Sequence, residues 1–121
     1  MRLRRYFDPA ALRAAWWAER ELRRARRSLR EDGVAAARVA DPPRLPLRAG
    51  RGVRAVLRRR PNTCLERALV LQSWLAAQGD PREVVIGVRG PGDAFRAHAW
   101  VDGVPDGDVE AFEEIMRLPA R

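Results

Sequence analysis

The chain contains one cysteine and one histidine, and the surroundings of each suit acyl-transfer chemistry. Cys64 lies between Thr63 and Glu66, whose spacing is typical of a capping box at the start of a helix. At a helix N-terminus, the macrodipole and the free N–H groups favour a thiolate, the form of cysteine that attacks carbon. An imidazole beside that sulfur can take its proton and return it to a leaving amine. Cys64 and His98 are therefore the candidate nucleophile and base.

Three carboxylates follow His98 closely and favour a chemical role over a purely structural one. A single cysteine in a helix is commonly a small buried hydrophobe, and a single histidine is commonly a satisfied surface or core residue. A Cys/His pair that does chemistry needs a third group to fix the imidazole tautomer. Asp102, Asp106 and Asp108 are each close enough in sequence to His98 to supply it.

A buried helix and a β-hairpin are the elements that must position these residues. From Cys64 to Gly79, apolar residues occur nearly all round the helical turn, which predicts a helix covered on most sides. Residues 83–89 and 94–101 predict two strands joined by a Gly-Pro-Gly-Asp turn. The chain is predicted to close with a short amphipathic helix over residues 109–118. The predicted fold class is α+β. The apolar side chains of the closing helix are Phe112, Ile115 and Met116.

A long amphipathic helix is predicted near the N-terminus. Asp8 suits its cap, Pro9 suits its first position, and Gly33 predicts its end. Phe7 lies where it could pack onto the helix as a hydrophobic staple. The residues assigned to the apolar face of this helix are Leu12, Ala15, Trp16, Leu22, Ala25 and Leu29.

A proline-rich connector divides the chain. Three prolines fall within residues 41–46, where they remove N–H donors and fix the backbone. A short helix is predicted after it, over residues 51–60, with Val53, Val56 and Leu57 inward. We therefore predict an Arg-rich helical region with its connector over residues 1–44, and a core that carries Cys64 and His98 over residues 45–121.

The net charge of +8 is unevenly distributed. Residues 1–60 carry 18 arginines and 6 acidic residues, whereas residues 61–121 carry 6 arginines and 10 acidic residues. A basic half of this kind can attract nucleic acid, an acidic peptide or an acidic partner protein. A non-catalytic basic binding module is therefore an alternative function. We do not expect nucleic acid to be the partner, because only Trp16 and Trp17 are interleaved with the arginine runs.

The composition also excludes several kinds of site. One cysteine cannot form an internal disulfide or a zinc site built on paired cysteines. No Gly-rich phosphate loop lies between a strand and a helix, so nothing suggests ATP. We expect no metal and no cofactor. No apolar run approaches the roughly 18 residues of a membrane span. No signal-peptide core follows the segment Met1–Arg5, and we expect a cytoplasmic protein without a membrane partner.

Three segments in order resemble a known enzyme family. They are the helix start Thr63–Leu69, the strand Val85–Arg89 and the strand Phe95–Val101. Together they resemble the transglutaminase-like cysteine protease of lasso-peptide biosynthesis, the leader peptidase called the B protein or its separate C-terminal half. The resemblance covers roughly residues 45–118 and rests on the ordered combination of the three segments, which is more specific than any one of them alone.

This resemblance implies a papain-like core, in which a central cysteine-bearing helix packs on a small antiparallel sheet. Cys64 would attack the peptide bond, His98 would act as base and then as acid, and an Asp would steady the imidazole. Family members usually have a longer segment before that Asp. Asp108 is favoured because it precedes the predicted C-terminal helix, Asp106 is second and Asp102 is third. The Cys64 backbone N–H is the predicted oxyanion donor.

The resemblance also implies a substrate and partners. The substrate would be a ribosomally made lasso-peptide precursor, which would be cut to release its leader. The expected partners are a separate leader-recognition protein that presents the precursor and the ATP-dependent cyclase that closes the macrolactam ring. A thiol acyltransferase on the same core is an alternative, because hydrolysis and transfer use the same thiol and base. Arg58, Arg59 and Arg60 are predicted either to hold an anionic substrate group or to form a solvated helix end.

Overall fold

Three helices precede a small sheet in the computed structural model, which describes residues 8–121. Phe7 and the segment Met1–Arg5 lie outside the described residues. None of the helices within residues 8–121 combines the length and the apolar character needed to cross a bilayer. The arrangement confirms the predicted α+β class. The helices are α1 (Pro9–Asp32), α2 (Gly50–Arg59) and α3 (Cys64–Ala77), and the strands are β1 (Val84–Arg89), β2 (Arg96–Val101) and β3 (Glu113–Leu118).

Helix α1 begins and ends where predicted, but its buried face differs at the tryptophan pair and at Leu12, which is predicted to lie on the apolar face and is 53% exposed. Asp8 Oδ1 accepts a hydrogen bond from the Ala10 N–H at 3.0 Å and caps the helix. Trp16 was assigned to the core and is 72% exposed, whereas Trp17 is 3% exposed. The buried stripe also contains Glu21, whose Oε1 accepts from the Ala40 N–H at 2.7 Å. Apolar periodicity alone missed this face because a charged residue lies at its centre.

Helix α2 crosses α1 at very short range. Gly52 is buried, and a Cβ built on it would lie 2.0 Å from the carbonyl oxygen of Ala11, so only glycine permits this approach. Val53, Val56 and Leu57 are buried as predicted. One hydrophobic core includes side chains from α1, α2, α3 and the sheet, on both sides of the connector. The boundary near residue 44 stays a prediction.

The sheet is antiparallel with the order β2-β1-β3. The hairpin between β1 and β2 was predicted, and its register pairs Gly87 with His98. Helix α3 packs against β2 and β1. The buried Gln72 of α3 donates to the carbonyl oxygens of Arg82 and Pro119, both at 2.9 Å. This one side chain therefore ties the cysteine-bearing helix to the start of β1 and the end of β3.

The predicted C-terminal helix over residues 109–118 is wrong. A single 3₁₀ turn at Val109–Ala111 is followed by β3, which pairs with the free edge of β1. Ile115 is 61% exposed rather than inward, and within β3 only Leu118 is buried. The local spacing fitted a helix, but backbone pairing with β1 decides the structure, and that partner is distant in sequence.

Candidate active site

The capping box at the start of α3 is present and places Cys64 at the first helical position. The Glu66 N–H donates to Thr63 Oγ1 at 3.2 Å, and the Thr63 N–H donates to Glu66 Oε1 at 3.0 Å. Cys64 is half-buried as the first residue of the helix. Its thiol therefore lies at the positive end of the α3 dipole, in a backbone fixed by two reciprocal hydrogen bonds.

Arg26 of α1 completes this helix start. Its Nε lies 3.2 Å from Glu66 Oε2, and its Nη2 lies 3.3 Å from Glu66 Oε1. The hydrogen bond with Glu66 raises the pKa of Arg26 above its ordinary value. Arg26 Nη2 also donates to the Pro61 carbonyl oxygen at 3.4 Å, so it contacts the segment that leads into α3. The carboxylate that caps the cysteine helix is thus neutralised by a residue 40 positions earlier in the chain.

His98 is held by Asp106. The two side chains meet at 3.1 Å between His98 Nε2 and Asp106 Oδ2. A carboxylate can only accept, so Nε2 carries the proton in this contact and Nδ1 is left as the basic nitrogen. The His98 side chain is 21% exposed and that of Asp106 is 35% exposed, so the pair is partly shielded from water. Asp106 is the residue that the sequence ranked second.

The other two candidate carboxylates lie elsewhere. Asp102 Oδ2 accepts from Arg117 Nη1 at 3.1 Å, on the β3 side of the sheet. Asp108 is exposed and precedes the 3₁₀ turn, where its carbonyl oxygen accepts from the Ala111 N–H at 3.3 Å. Neither makes a hydrogen bond with His98 in the described part of the chain. Asp108 was favoured because it precedes a predicted helix, and that helix does not form.

Aromatic rings pack on the imidazole of His98. The Trp100 ring stacks on it with centroids 5.8 Å apart and planes 22° apart, as expected for two residues on one strand face. The Phe112 ring lies 5.4 Å away and is tilted by 39°. Phe112 belongs to the segment just before β3 and was predicted to face the core from a helix. Its contact with His98 follows from the β1–β3 pairing, which the sequence did not indicate.

Gly87 leaves room for these rings. It is opposite His98 in the β1–β2 register and lies at the irregularity where β1 pairs with β3. A Cβ on Gly87 would lie 3.0 Å from Phe112 Cβ and 3.0 Å from Trp100 Cη2. That separation is shorter than normal van der Waals contact, so any side chain at position 87 must displace at least one ring.

Replacing Gly87 with valine should therefore move the rings that pack on His98. Valine suits a strand, so the expected loss of about 1–3 kcal/mol in the free energy of unfolding comes from overpacking and not from strand propensity. His98 is the one histidine, and its imidazole NMR signals should shift because the stacked ring moves. Val88→Ile, a change at the next position of β1, is the matched control and should leave those signals in place. Unchanged His98 signals in Gly87→Val would contradict the assignment.

Cys64 and Asp106 line one cleft, which has a volume of about 350 Å³. The cleft is formed by α2, α3, the end of β2 and the segment after it. His98 does not line the cleft and is connected to it through its hydrogen bond with Asp106. Among the described residues, no hydrogen bond joins Cys64 Sγ to His98, and the Cys64 N–H donates to no acceptor. Hydrogen bonds of catalytic groups commonly tighten only when the substrate is bound.

Two predicted properties of the site concern charge and metal. Arg60 forms an ion pair with Glu19 at 3.0 Å, whereas Arg58 lines the cleft. The arginines before α3 therefore do not share one role: Arg60 stabilises the fold and Arg58 belongs to the cleft. Within residues 8–121, no group of three or more His, Cys, Asp or Glu side chains is arranged to hold a metal ion.

Comparison with known protein families identifies the superfamily. The family model of the transglutaminase-like superfamily matches residues 7–117, which is nearly the whole chain. The chain belongs to this superfamily. Its fold is that of cysteine proteases and acyltransferases. The match begins at the N-terminal end of α1 and so includes the region that the sequence motifs left out. No curated protein and no solved structure shows a significant match.

Proposed function

We propose that the chain is a cysteine peptidase that removes the leader from a lasso-peptide precursor. Membership of the transglutaminase-like superfamily supports the thiol chemistry. The observation that carries the proposal is the 3.1 Å contact between His98 Nε2 and Asp106 Oδ2, beside the cleft that Cys64 lines. The specificity for a precursor leader rests on the resemblance of the three motifs to the leader peptidase family.

The proposed mechanism uses four groups of this chain. Cys64 Sγ gives its proton to His98 Nδ1 and attacks the carbonyl carbon of the scissile bond. The Cys64 N–H stabilises the oxyanion that forms. His98 then protonates the leaving amine, and the acyl group remains on sulfur as a thioester. A water molecule, deprotonated by His98, attacks the thioester and releases the acid and the thiol. Asp106 accepts a hydrogen bond from Nε2–H throughout, without taking the proton, and keeps Nδ1 facing the reaction.

We propose that a separate leader-recognition protein presents the precursor. The exposed arginines of α1 support the proposal that this partner protein docks on a basic surface of the helix. Arg23, Arg27 and Arg30 lie on one helical stripe, are exposed and make no ion pair with a described carboxylate. Arg26 on the same helix is occupied by Glu66. The separate partner and the cyclase that acts next are taken from the family resemblance.

Mass spectrometry of a lasso-peptide precursor incubated with this chain and its leader-recognition partner tests the proposal. We expect one cleavage, at the junction of leader and core, because one thiol and one cleft define a single reaction site. The products should be the free leader acid and the core peptide. An adduct of the leader with an added amine would instead support the acyltransferase on the same core. An uncut precursor in the presence of folded protein and bound partner would overturn the peptidase proposal.

A further inference from the structure

Three arginines line the cleft beside Cys64. Arg54 and Arg58 lie one turn apart on α2, and Arg67 lies one turn after Cys64 on α3. Residues three and four apart on a helix share a face, so each helix turns its basic side chains toward the same opening. Arg54 and Arg58 are exposed and Arg67 is half-buried. The two exposed arginines of α2 therefore lie at the rim of the cleft, and Arg67 lies within one helical turn of the nucleophile.

These arginines are without carboxylate partners. Arg54, Arg58 and Arg67 form no ion pair within residues 8–121, and residues 1–7 contain no aspartate or glutamate. Two other arginines in this part of the chain are paired, Arg51 of α2 with Asp8 at 3.3 Å and Arg60 with Glu19 at 3.0 Å. Asp106 is the one carboxylate among the lining residues, and it is engaged with His98. The cleft thus has an excess of positive charge that the rest of the chain does not neutralise.

The remainder of the lining is apolar. Leu71 and Leu75 come from successive turns of α3, and Val101 and Val104 come from the end of β2 and the turn after it. These side chains are buried or half-buried, whereas the two arginines of α2 are exposed. A ligand that fits has an apolar part in the cleft and a negative charge at its rim.

We propose that this cleft is a specificity site for an acidic peptide segment, in which an aspartate or glutamate lies next to an apolar residue close to the scissile bond. The carboxylate contacts Arg54, Arg58 and Arg67, and the apolar side chain packs on α3. Guanidinium groups bind carboxylates through two parallel hydrogen bonds, which favours this anion over a neutral side chain. The scissile bond enters through the proposed peptidase function, but the recognition of the carboxylate does not depend on it.

Alkylation of Cys64 tests the site without any cleavage assay. Iodoacetate and iodoacetamide attach to the same sulfur and differ mainly by one carboxylate, and the chain offers no other cysteine. The ratio of the two rates, divided by the same ratio for a free cysteine derivative, should exceed one in the wild-type protein. Removing one arginine, as in Arg58→Gln or Arg67→Gln, should lower this ratio about two- to fivefold, as expected for one ion pair at a partly exposed site.

Arg59→Gln is the matched control. Arg59 has the same charge and lies at the same end of α2 but does not line the cleft, so its replacement should leave the ratio near the wild-type value. An equal loss in Arg58→Gln and Arg59→Gln would show that only the net charge matters and would overturn the proposal. A normalised ratio of one in the wild-type protein would also overturn it. Circular dichroism confirms that each variant is folded.

A peptide probe tests whether the preference for a carboxylate extends from iodoacetate to an acidic peptide. N-acetyl-Leu-Glu-amide should slow the alkylation of Cys64 by iodoacetamide, and N-acetyl-Leu-Gln-amide should do so several-fold more weakly. Equal protection by both peptides would contradict recognition of the carboxylate. Selective alkylation without any precursor cleavage would retain this cleft and reject the peptidase function. Cleavage of the precursor without selectivity for the carboxylate would retain the peptidase function and reject this cleft as a carboxylate site.

Discussion

Replacing Cys64 with alanine is expected to leave the precursor peptide uncut. The thiol is the only side chain at the start of α3 that can form the thioester, and no second cysteine exists in the chain to replace it. Removing the nucleophile of such a catalytic unit costs on the order of 10⁴-fold in rate or more. Mass spectrometry of the precursor over a long incubation with the leader-recognition partner measures the residual rate.

The control is the fold of the variant. Cys64 is half-buried and contributes one sulfur to the edge of the core, so the free energy of unfolding should change by about 1 kcal/mol or less. The capping box depends on Thr63 and Glu66 and stays intact. Cleavage by Cys64→Ala at the wild-type rate would exclude the thiol mechanism. His98→Ala should be nearly as inactive, because no other imidazole is available.

Replacing Asp106 with alanine should lower the cleavage rate about 10²- to 10⁴-fold. The change removes the acceptor 3.1 Å from His98 Nε2, so the imidazole loses both its orientation and its fixed tautomer. Asp108→Ala is the matched control, because Asp108 is exposed and has no hydrogen bond with His98. Its effect should stay within about threefold, the range of ordinary surface substitutions. Cleavage rates at saturating precursor compare the two variants.

Asp106→Asn separates orientation from charge. The amide oxygen of asparagine can still accept a hydrogen bond from Nε2–H, so this variant should be more active than Asp106→Ala. Equal losses in the two variants would mean that the negative charge matters more than the hydrogen bond. A large loss in Asp108→Ala with an active Asp106→Ala would restore the original ranking of the two residues and reject the contact as catalytic.

The sequence predicted the parts of the fold that local signals determine. The capping box of Thr63 and Glu66 is complete within four residues, so the start of α3 and the place of Cys64 followed directly. The hairpin of β1 and β2 was likewise apparent from two apolar strands and one turn. The strand β3 was not, because the apolar spacing around Ile115 fits a helix as well. Its identity depends on the free edge of β1.

The same division applies to the site. Cys64 and His98 were found because each is the only residue of its type. Arg67 lies three residues after Cys64, and this spacing alone predicts that both side chains share one face of α3. The sequence prediction of the site did not include it. Arg26 and Phe112 could not be assigned, because their contacts with Glu66 and His98 join parts of the chain that only the tertiary fold brings together. The choice between Asp106 and Asp108 depended on a helix that does not form.

The single, half-buried thiol that lines the cleft also has a redox consequence. Oxidation of a cysteine first gives a sulfenic acid, which many proteins protect by condensation with a neighbouring cysteine. This chain has no second cysteine, so an oxidised Cys64 cannot form an internal disulfide. A disulfide that traps the sulfenic acid before its irreversible oxidation to the sulfinic acid must therefore come from an external thiol, such as glutathione. The supply of thiol in the surrounding solution thus affects how long the nucleophile survives.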